Sequence, residues 1–223
     1  MEIFLIIVVA LVVVGVIVGH HIIERQRRDA MAGLAAKLGL RFRPDKDRGL
    51  ADQLSFLDKL DDGSNRYGYN CMDGSHQGHE VTIFDYHYET YSYGGKGGRK
   101  THHHHLTVLL LVLPRSFPEL IITPEGFFSK IAQAIGFEDI DFESAEFSRA
   151  FCVRSRDKKF AYDVCHGLMM EYLLANRDLS IEIDGNVQAL VFASRAAVPE
   201  IEHRLRQLVE IRQLLPEYLF TKS

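Results

Sequence analysis

The chain begins with an unbroken apolar segment. Every residue from 3 to 18 is Ile, Phe, Leu, Val, Ala or Gly. A bilayer core about 30 Å thick needs roughly 20 helical residues, and residues 3–23 supply that length. A secretory signal peptide would begin with Lys or Arg and end in a small-residue cleavage site, and Gly19-His20-His21 does not resemble one. We therefore predict an uncleaved transmembrane anchor over residues 1–23.

The charges beside this segment predict its orientation. Arg25, Arg27 and Arg28 follow the apolar residues directly, whereas neither Lys nor Arg precedes them. Because positively charged flanks stay in the cytoplasm, we expect the N-terminus outside and the rest of the chain inside the cell. Cysteines that form no Cys-x-x-Cys pair fit such a reducing compartment: Cys71, Cys152 and Cys165.

Helical periodicity continues beyond the membrane segment. Met31, Leu34, Ala35 and Leu38 recur at spacings of three and four, so residues 24–39 should form an amphipathic juxtamembrane stalk that Gly39 ends. Leucines at similar spacing predict a second helix near residues 48–61. The anchor is thus expected to run as a helix into the soluble part of the chain.

Strand patterns follow. Residues 66–72 and 79–90 flank a turn-rich connection and predict a hairpin, and residues 103–113 predict a third strand after a glycine-rich loop. Together these segments suggest an antiparallel meander. From Leu106 onward the third segment is apolar on both faces apart from Thr107, which predicts a central strand covered on both sides.

The second half of the chain mixes helices and strands. Its patterns predict a helix over residues 126–135, short strands at 140–142 and 149–154, a long helix over 157–175, a hairpin around Asp184-Gly185-Asn186 and a last helix between Pro199 and Pro216. This order favours the α+β class, with helices packed on an antiparallel sheet of hairpins. We expect one cytoplasmic domain over residues 40–223, in two lobes, 40–136 and 137–223.

The composition and net charge of the chain indicate which kinds of partner it can bind. A chain with 47% hydrophobic and 25% charged residues has the make-up of a globular protein and is long enough to bury a sizeable core. Its net charge is −4 and it has no long basic tract, so nothing electrostatic favours a nucleic-acid partner. Membrane lipid is the partner that the apolar segment itself implies.

Six short phrases are spaced along the soluble part: Phe84-Asp85-Tyr86, Leu113-Pro114, Phe117, Thr123-Pro124-Glu125, Asp139-Ile140-Asp141-Phe142 and Phe147-Ser148. They resemble those of an uncharacterised group of small bacterial membrane-anchored proteins, over roughly residues 39–220. The resemblance implies a bacterial origin, and therefore the inner membrane, together with the fold. That group has no established activity, so no catalytic residue is transferred.

Four consecutive histidines, residues 102–105, provide the densest candidate chemistry. On the preceding strand, Asp85, His87 and Glu89 share one face, and the strand register decides whether the odd-numbered or even-numbered histidines join them. Two or three imidazoles with a carboxylate suit zinc or another divalent ion, so the candidate ligands are Asp85, His87, His103 and His105. The alternative is a polar strand end that binds metal loosely and holds no cofactor.

Two further features concern association. Alternating tyrosines beside the glycine-rich loop form a candidate interaction surface, Tyr86, Tyr88, Tyr91 and Tyr93, although the same pattern suits a packed sheet face. Within the membrane segment, Gly15 and Gly19 form a Gly-x-x-x-Gly pair that lets two helices approach closely. This pair predicts self-association.

Two functions therefore fit the sequence. The favoured one is a membrane-tethered interaction or scaffold module that binds a protein partner or a second copy of itself. The alternative is a membrane-bound, metal-dependent hydrolase that uses the histidine and aspartate cluster on the central hairpin. The sequence favours the first because it contains no metalloenzyme motif such as His-Glu-x-x-His.

Overall fold

The computed structural model describes residues 1–94, 98–125 and 140–221. Its helices are α1 (Glu2–Leu38), α2 (Arg48–Gln53), α3 (Ala145–Ala150), α4 (Lys158–Val164), α5 (Gly167–Ala175), α6 (Val198–Leu214) and α7 (Tyr218–Thr221). Its strands are β1 (Arg41–Arg43), β2 (Ser64–His76), β3 (His79–Tyr93), β4 (Arg99–Pro124), β5 (Phe151–Ser155) and β6 (Ile181–Val191). The predicted α+β class, with an N-terminal apolar helix ahead of an antiparallel sheet, is confirmed.

Helix α1 joins the apolar segment to the soluble part without a break. It has 37 residues, which corresponds to about 55 Å. It ends where the sequence predicts, at Gly39, whose φ of 70° is the left-handed conformation that glycine adopts most readily. Among the described residues, α1 is the helix long and apolar enough to cross a membrane, and none of its most apolar window is buried against the protein. The structure therefore contains a single candidate anchor in its described part.

Strand β4 organises the sheet. It pairs antiparallel with β3 along its first half and with β5 along its last residues, and β6 follows its other edge. The outer strands β2 and β1 continue the sheet beyond β3. Strands from both predicted lobes thus belong to one sheet, because β5 and β6 pair with the same strand as β3.

Each face of β4 is covered by a core. Leu109 and Leu111 face the larger core, which includes residues of α1, α4, α5 and α6. Val108 and Leu110 face a smaller core built with α2 and the turn that follows it. The prediction of a central strand buried on both faces is confirmed, because successive side chains of a strand point to opposite faces.

The predicted hairpin at residues 184–186 is wrong. Strand β6 continues through Gly185, which lies opposite Phe117 with a φ of 55°. The register shifts on both sides of this pair: β4 passes from Val112 to Phe117 while β6 passes only from Val187 to Gly185. The extra residues bulge from β4, so the glycine bends β6 and does not reverse it.

Other element boundaries also differ from the predictions. The predicted helix over residues 157–175 is two helices, α4 and α5, because the chain breaks at Cys165 and His166, where the imidazole Nε2 lies 2.9 Å from the Leu214 carbonyl oxygen. The helix expected over 48–61 ends at Gln53 and is followed by a single 3₁₀ turn, Asp58–Leu60. Both helical segments are therefore shorter than predicted.

Three more segments were predicted from the sequence: residues 140–142, the first hairpin turn and residues 126–135. Residues 140–142 form no strand, and Ser144 instead caps α3, a helix that the sequence analysis missed. The first hairpin turns at Gln77 and Gly78, both with positive φ, so β2 is longer than expected. The helix predicted over residues 126–135 lies outside the described residues.

The close approach of β2 and β3 depends on Gly63. A Cβ at this position, where φ is 69°, would lie 2.4 Å from the Glu89 carbonyl oxygen and 2.9 Å from Tyr88 Cδ2. Gly63→Ala should therefore lower the free energy of unfolding by about 2–4 kcal/mol, measured by urea unfolding in detergent. Gly78→Ala is the matched control, since its φ is 80° but nothing lies within 4 Å of the added methyl group. Equal losses in the two variants would contradict the steric explanation.

Candidate functional site

An ion pair joins α1 to the centre of the sheet. Arg27 donates from Nε to Asp85 Oδ2 at 2.7 Å and from Nη2 to Asp85 Oδ1 at 2.6 Å. The arginine side chain is 12% exposed and the aspartate side chain is fully buried. Such a two-point contact fixes the orientation of a guanidinium as well as its position. We call this pair the anchor lock.

The groups around the anchor lock satisfy its remaining hydrogen-bonding capacity. Asn70 Nδ2 and Thr107 Oγ1 donate to the Asp85 carboxylate at 3.1 and 3.2 Å. Arg27 Nη1 donates to the Ala196 carbonyl oxygen at 2.9 Å, which ties α1 to the segment before α6. A buried charge is tolerated when it is paired and hydrogen-bonded in this way. Asp85 is therefore fully engaged by protein groups.

A second polar chain lies one turn closer to the membrane segment. Glu24 Oε1 lies 2.7 Å from Arg195 Nη1. The same arginine nitrogen donates to the Tyr69 hydroxyl at 3.4 Å, and that hydroxyl lies 3.0 Å from His105 Nδ1. Burial raises the pKa of Tyr69, and burial lowers the pKa of His105 to about 4. Both rings are therefore neutral near pH 7, and Arg195 and Glu24 carry the charges.

The strand register selects the odd-numbered histidines. His87 pairs with His105, and Glu89 pairs with His103, on the sheet face that also carries Asp85. His87 Nε2 lies 3.3 Å from His103 Nδ1, and this Nδ1 lies 3.5 Å from Glu89 Oε1. His102 and His104 occupy the opposite face and contact Ser92 and Thr90. Of the predicted ligands, His87 and His103 lie together, and Glu89 joins them.

The other two predicted ligands have different surroundings. Asp85 belongs to the anchor lock, and His105 uses its Nδ1 to contact Tyr69. His87 is buried and stacks on Tyr67, with ring centroids 4.6 Å apart. Its Nδ1 lies 3.1 Å from the Asn65 carbonyl oxygen, which can only accept, so Nδ1 carries the proton and Nε2 keeps its lone pair. Burial lowers the pKa of His87, which favours this neutral form.

The predicted tyrosine surface is divided between environments. Tyr86 and Tyr88 are buried in the smaller core, and the Tyr86 hydroxyl donates to the Leu60 carbonyl oxygen at 2.5 Å. Tyr91 is 37% exposed and Tyr93 is 78% exposed at the end of β3. The guanidinium of Arg99, on β4, lies 4.2 Å from the Tyr91 ring centroid. Of the four predicted tyrosines, the two at the loop end of the hairpin are the exposed ones.

The three arginines that follow the apolar segment have different surroundings. Arg25 and Arg28 are exposed, whereas Arg27 turns inward to the anchor lock. Gly15 and Gly19 have no atom within 4 Å of an added Cβ, so the face they share is open. The sequence analysis missed the inward role of Arg27, although its spacing of four and eight from Met31 and Ala35 places it on the buried stripe of α1.

Three further polar residues of the site are not indicated by any sequence pattern. Glu24, Tyr69 and Arg195 form one chain in space but lie far apart in sequence. No local spacing connects them, so only the packing of α1 on the sheet brings them together. Glu89 was recognised on the correct face but was not chosen as a ligand.

Asp85→Asn should destabilise the protein by about 3–5 kcal/mol, because it leaves the largely buried Arg27 charge without a counter-charge. Urea unfolding in detergent measures the loss, and proteolysis within residues 24–39 should become faster. Lys37→Ala is the control, because it removes an ion pair of the same helix, with Glu202, in which the lysine side chain is 63% exposed. A stability unchanged by Asp85→Asn would show that the anchor lock does not hold α1 to the sheet.

Comparison with known proteins identifies a likeness at the level of the fold. No family model matches the chain, and no curated protein matches it. The crystal structure of the mycobacterial trehalose monomycolate transport factor A, TtfA, superimposes with a TM-score of 0.63 over 85% of this chain and 96% of that chain, at 12% sequence identity. The chain is therefore similar to TtfA in fold.

Proposed function

We propose that this protein is a single-pass, membrane-tethered accessory protein that acts as a scaffold. Its N-terminus would lie outside the inner membrane of a bacterium, and its α+β domain would lie at the cytoplasmic surface. There it would bind a protein partner or a second copy of itself. The observation that carries the proposal is the continuity of α1 from the apolar segment to the anchor lock.

Continuity matters because it removes the flexible linker that a simple tether would have. Residues Met31 and Ala35 of α1 are buried in the larger core, and Arg27 is fixed to Asp85. In this proposal a rigid helix positions the domain relative to the membrane. A scaffold that presents one surface to a partner in the same membrane needs such a fixed geometry.

Three contacts support an orientation in which the loop end of β3 and β4 faces the membrane. Leu40, just beyond α1, packs on Gly74 of β2, since its Cδ2 is 3.3 Å from the position that a Cβ of Gly74 would take. Gly74 pairs with Val81 of β3. Arg27 contacts Asp85, further along β3, and Glu24 reaches His105 through Arg195 and Tyr69. Moving along α1 toward the membrane is therefore also moving along β3 toward its loop end.

The distances support a position of that end near the lipid. Leu40 to Arg27 spans about 20 Å of helix, and the matching strand positions, Val81 to Asp85, span about 13 Å. Tyr91 lies about 20 Å beyond Asp85 along β3, in the direction of the apolar segment. Ile23, the last residue of the apolar segment, lies about 6 Å from Arg27 along the helix.

The side chains at that end suit a lipid interface. Tyr91 and Tyr93 are the exposed aromatic residues of β3, and Arg99 and Lys100 are exposed on β4. Tyrosine rings are enriched at the headgroup level, and basic side chains are attracted to anionic lipids of the cytoplasmic leaflet. Exposed Arg25 and Arg28 add positive charge at the same level of α1 and support the proposed orientation.

The likeness to TtfA supports the accessory role. TtfA is described as a transport factor, and its fold covers most of this chain. By analogy, we propose that the scaffold assists a membrane transport process. The second candidate, a metal-dependent hydrolase, is supported by the proximity of His87, Glu89 and His103. It is the weaker proposal, because Asp85, one of its assigned ligands, is held by Arg27.

A single-tryptophan experiment tests the placement of the domain, since the chain contains no tryptophan. Tyr93→Trp should give fluorescence that acyl-brominated phospholipids quench in proteoliposomes, because this end of the hairpin meets the lipid interface. Ser75→Trp is the control, because it introduces the same reporter on β2 at the end of the sheet opposite to Tyr93. Equal quenching in the two variants would refute a hairpin end directed at the membrane.

A second experiment tests self-association. Replacing both glycines of the membrane pair, Gly15→Leu and Gly19→Leu, should abolish chemical crosslinking of two copies in native membranes, because bulky side chains separate the helices. Val13→Leu with Ile17→Leu changes the opposite face of α1 and should leave the crosslinked dimer intact. A wild-type protein that crosslinks to neither a second copy nor another membrane protein would remove the basis for a scaffold.

A further inference from the structure

We propose that His87, Glu89 and His103 form a binding site for a zinc-class divalent ion that bridges β3 and β4, with the fourth coordination position open. The proposal does not depend on the scaffold function. It also differs from the ligand set that the sequence suggests, since Glu89 takes the place of Asp85 and His105.

Two of the separations between the ligand atoms match the coordination geometry of zinc. Two ligands about 2.05 Å from a tetrahedral ion lie about 3.3 Å apart. His87 Nε2 and His103 Nδ1 are 3.3 Å apart, and His103 Nδ1 and Glu89 Oε1 are 3.5 Å apart. Ligand atoms from all three residues lie within 4.8 Å of one another. The three side chains therefore lie close enough together for one ion to bridge them.

Asn65 positions two of the three ligands. Its carbonyl oxygen accepts from His87 Nδ1 at 3.1 Å, and its side-chain Nδ2 donates to Glu89 Oε1 at 2.6 Å. The first contact directs the lone pair of His87 Nε2 toward His103, as in metal sites whose histidines donate their other nitrogen to a carbonyl group. Asn65 has a φ of 50°, a left-handed conformation that asparagine adopts more readily than most residues. This residue supports the site without contacting the ion.

Other contacts restrict the ligands further. The Tyr67 ring stacks on His87, and the Tyr91 hydroxyl donates to the second oxygen of Glu89 at 3.2 Å. The His103 side chain is 58% exposed, so the site opens to solvent on one side. Two imidazoles and one carboxylate with an open position form a donor set that suits zinc better than the harder ions calcium and magnesium. Water or a group from a partner would complete the coordination.

The four consecutive histidines provide a matched control, because the register divides them. His103 belongs to the proposed site, whereas His102 and His104 lie on the opposite face and contact Ser92 and Thr90. Adventitious metal binding, as by a histidine tag, would use neighbouring histidines on either face of the sheet. The proposed site depends on one odd-numbered histidine of the run and on two residues of β3.

The test uses the full chain, purified in detergent through a tag without histidine, and measures zinc by elemental analysis and calorimetry. The wild type should bind one ion per chain. His103→Ala and Glu89→Gln should each weaken binding at least about tenfold, and Asn65→Ala about 10- to 100-fold, as measured for supporting residues at zinc sites. The double variant His102→Ala/His104→Ala should bind zinc as the wild type does.

Two outcomes would overturn the proposal. One is a wild type that binds no zinc at stoichiometric level. The other is loss of binding in His102→Ala/His104→Ala with retention in Glu89→Gln, which would identify adventitious binding by the histidine run only. Circular dichroism of every variant separates loss of a ligand from loss of the fold. His103→Ala and Glu89→Gln change partly exposed side chains, so both variants should remain folded.

Discussion

The anchor lock between Arg27 and Asp85 determines how the sheet is oriented relative to α1. A guanidinium held at two oxygens cannot slide along or rotate about its partner without losing both bonds, and burial makes that loss expensive. Because Arg27 follows the apolar segment by one helical turn, the direction of that segment is fixed relative to the domain. The orientation of the hairpin relative to the proposed membrane anchor depends on this pair.

The loop end of β3 and β4 combines two kinds of chemistry on successive residues. The face that carries His87, Glu89 and His103 continues, beyond Tyr91, into the exposed aromatic and basic end of the hairpin. The opposite face packs Tyr86 and Tyr88 into the smaller core. Because side chains alternate along each strand, one face of the hairpin packs in the smaller core and the other carries the polar residues. The packed face holds the backbone, and so the ligand residues, in place. A bound ion would lie beside the proposed lipid contact.

Much of the fold follows from local patterns. The end of α1 at Gly39, the paired strands β3 and β4 and the limits of α6 each depend on signals within a few residues, and the structure contains them. The errors share a different cause. Asp184-Gly185-Asn186 favours a turn locally, but β4 supplies hydrogen-bonding partners to both flanks, so β6 stays continuous. The break between α4 and α5 likewise reflects the contact of His166 with the end of α6.

The sequence by itself determined the apolar N-terminal helix, the α+β class and the identity of the histidine-rich strand, because hydrophobic periodicity and charge position are local properties. Tertiary structure decided which histidines face Glu89, that Asp85 binds Arg27 and that Tyr86 is buried while Tyr93 is exposed. Each of these depends on register or on the packing of α1, and both are set by contacts between residues far apart in the chain. A shift of one residue between β3 and β4 would have exchanged the two histidine faces.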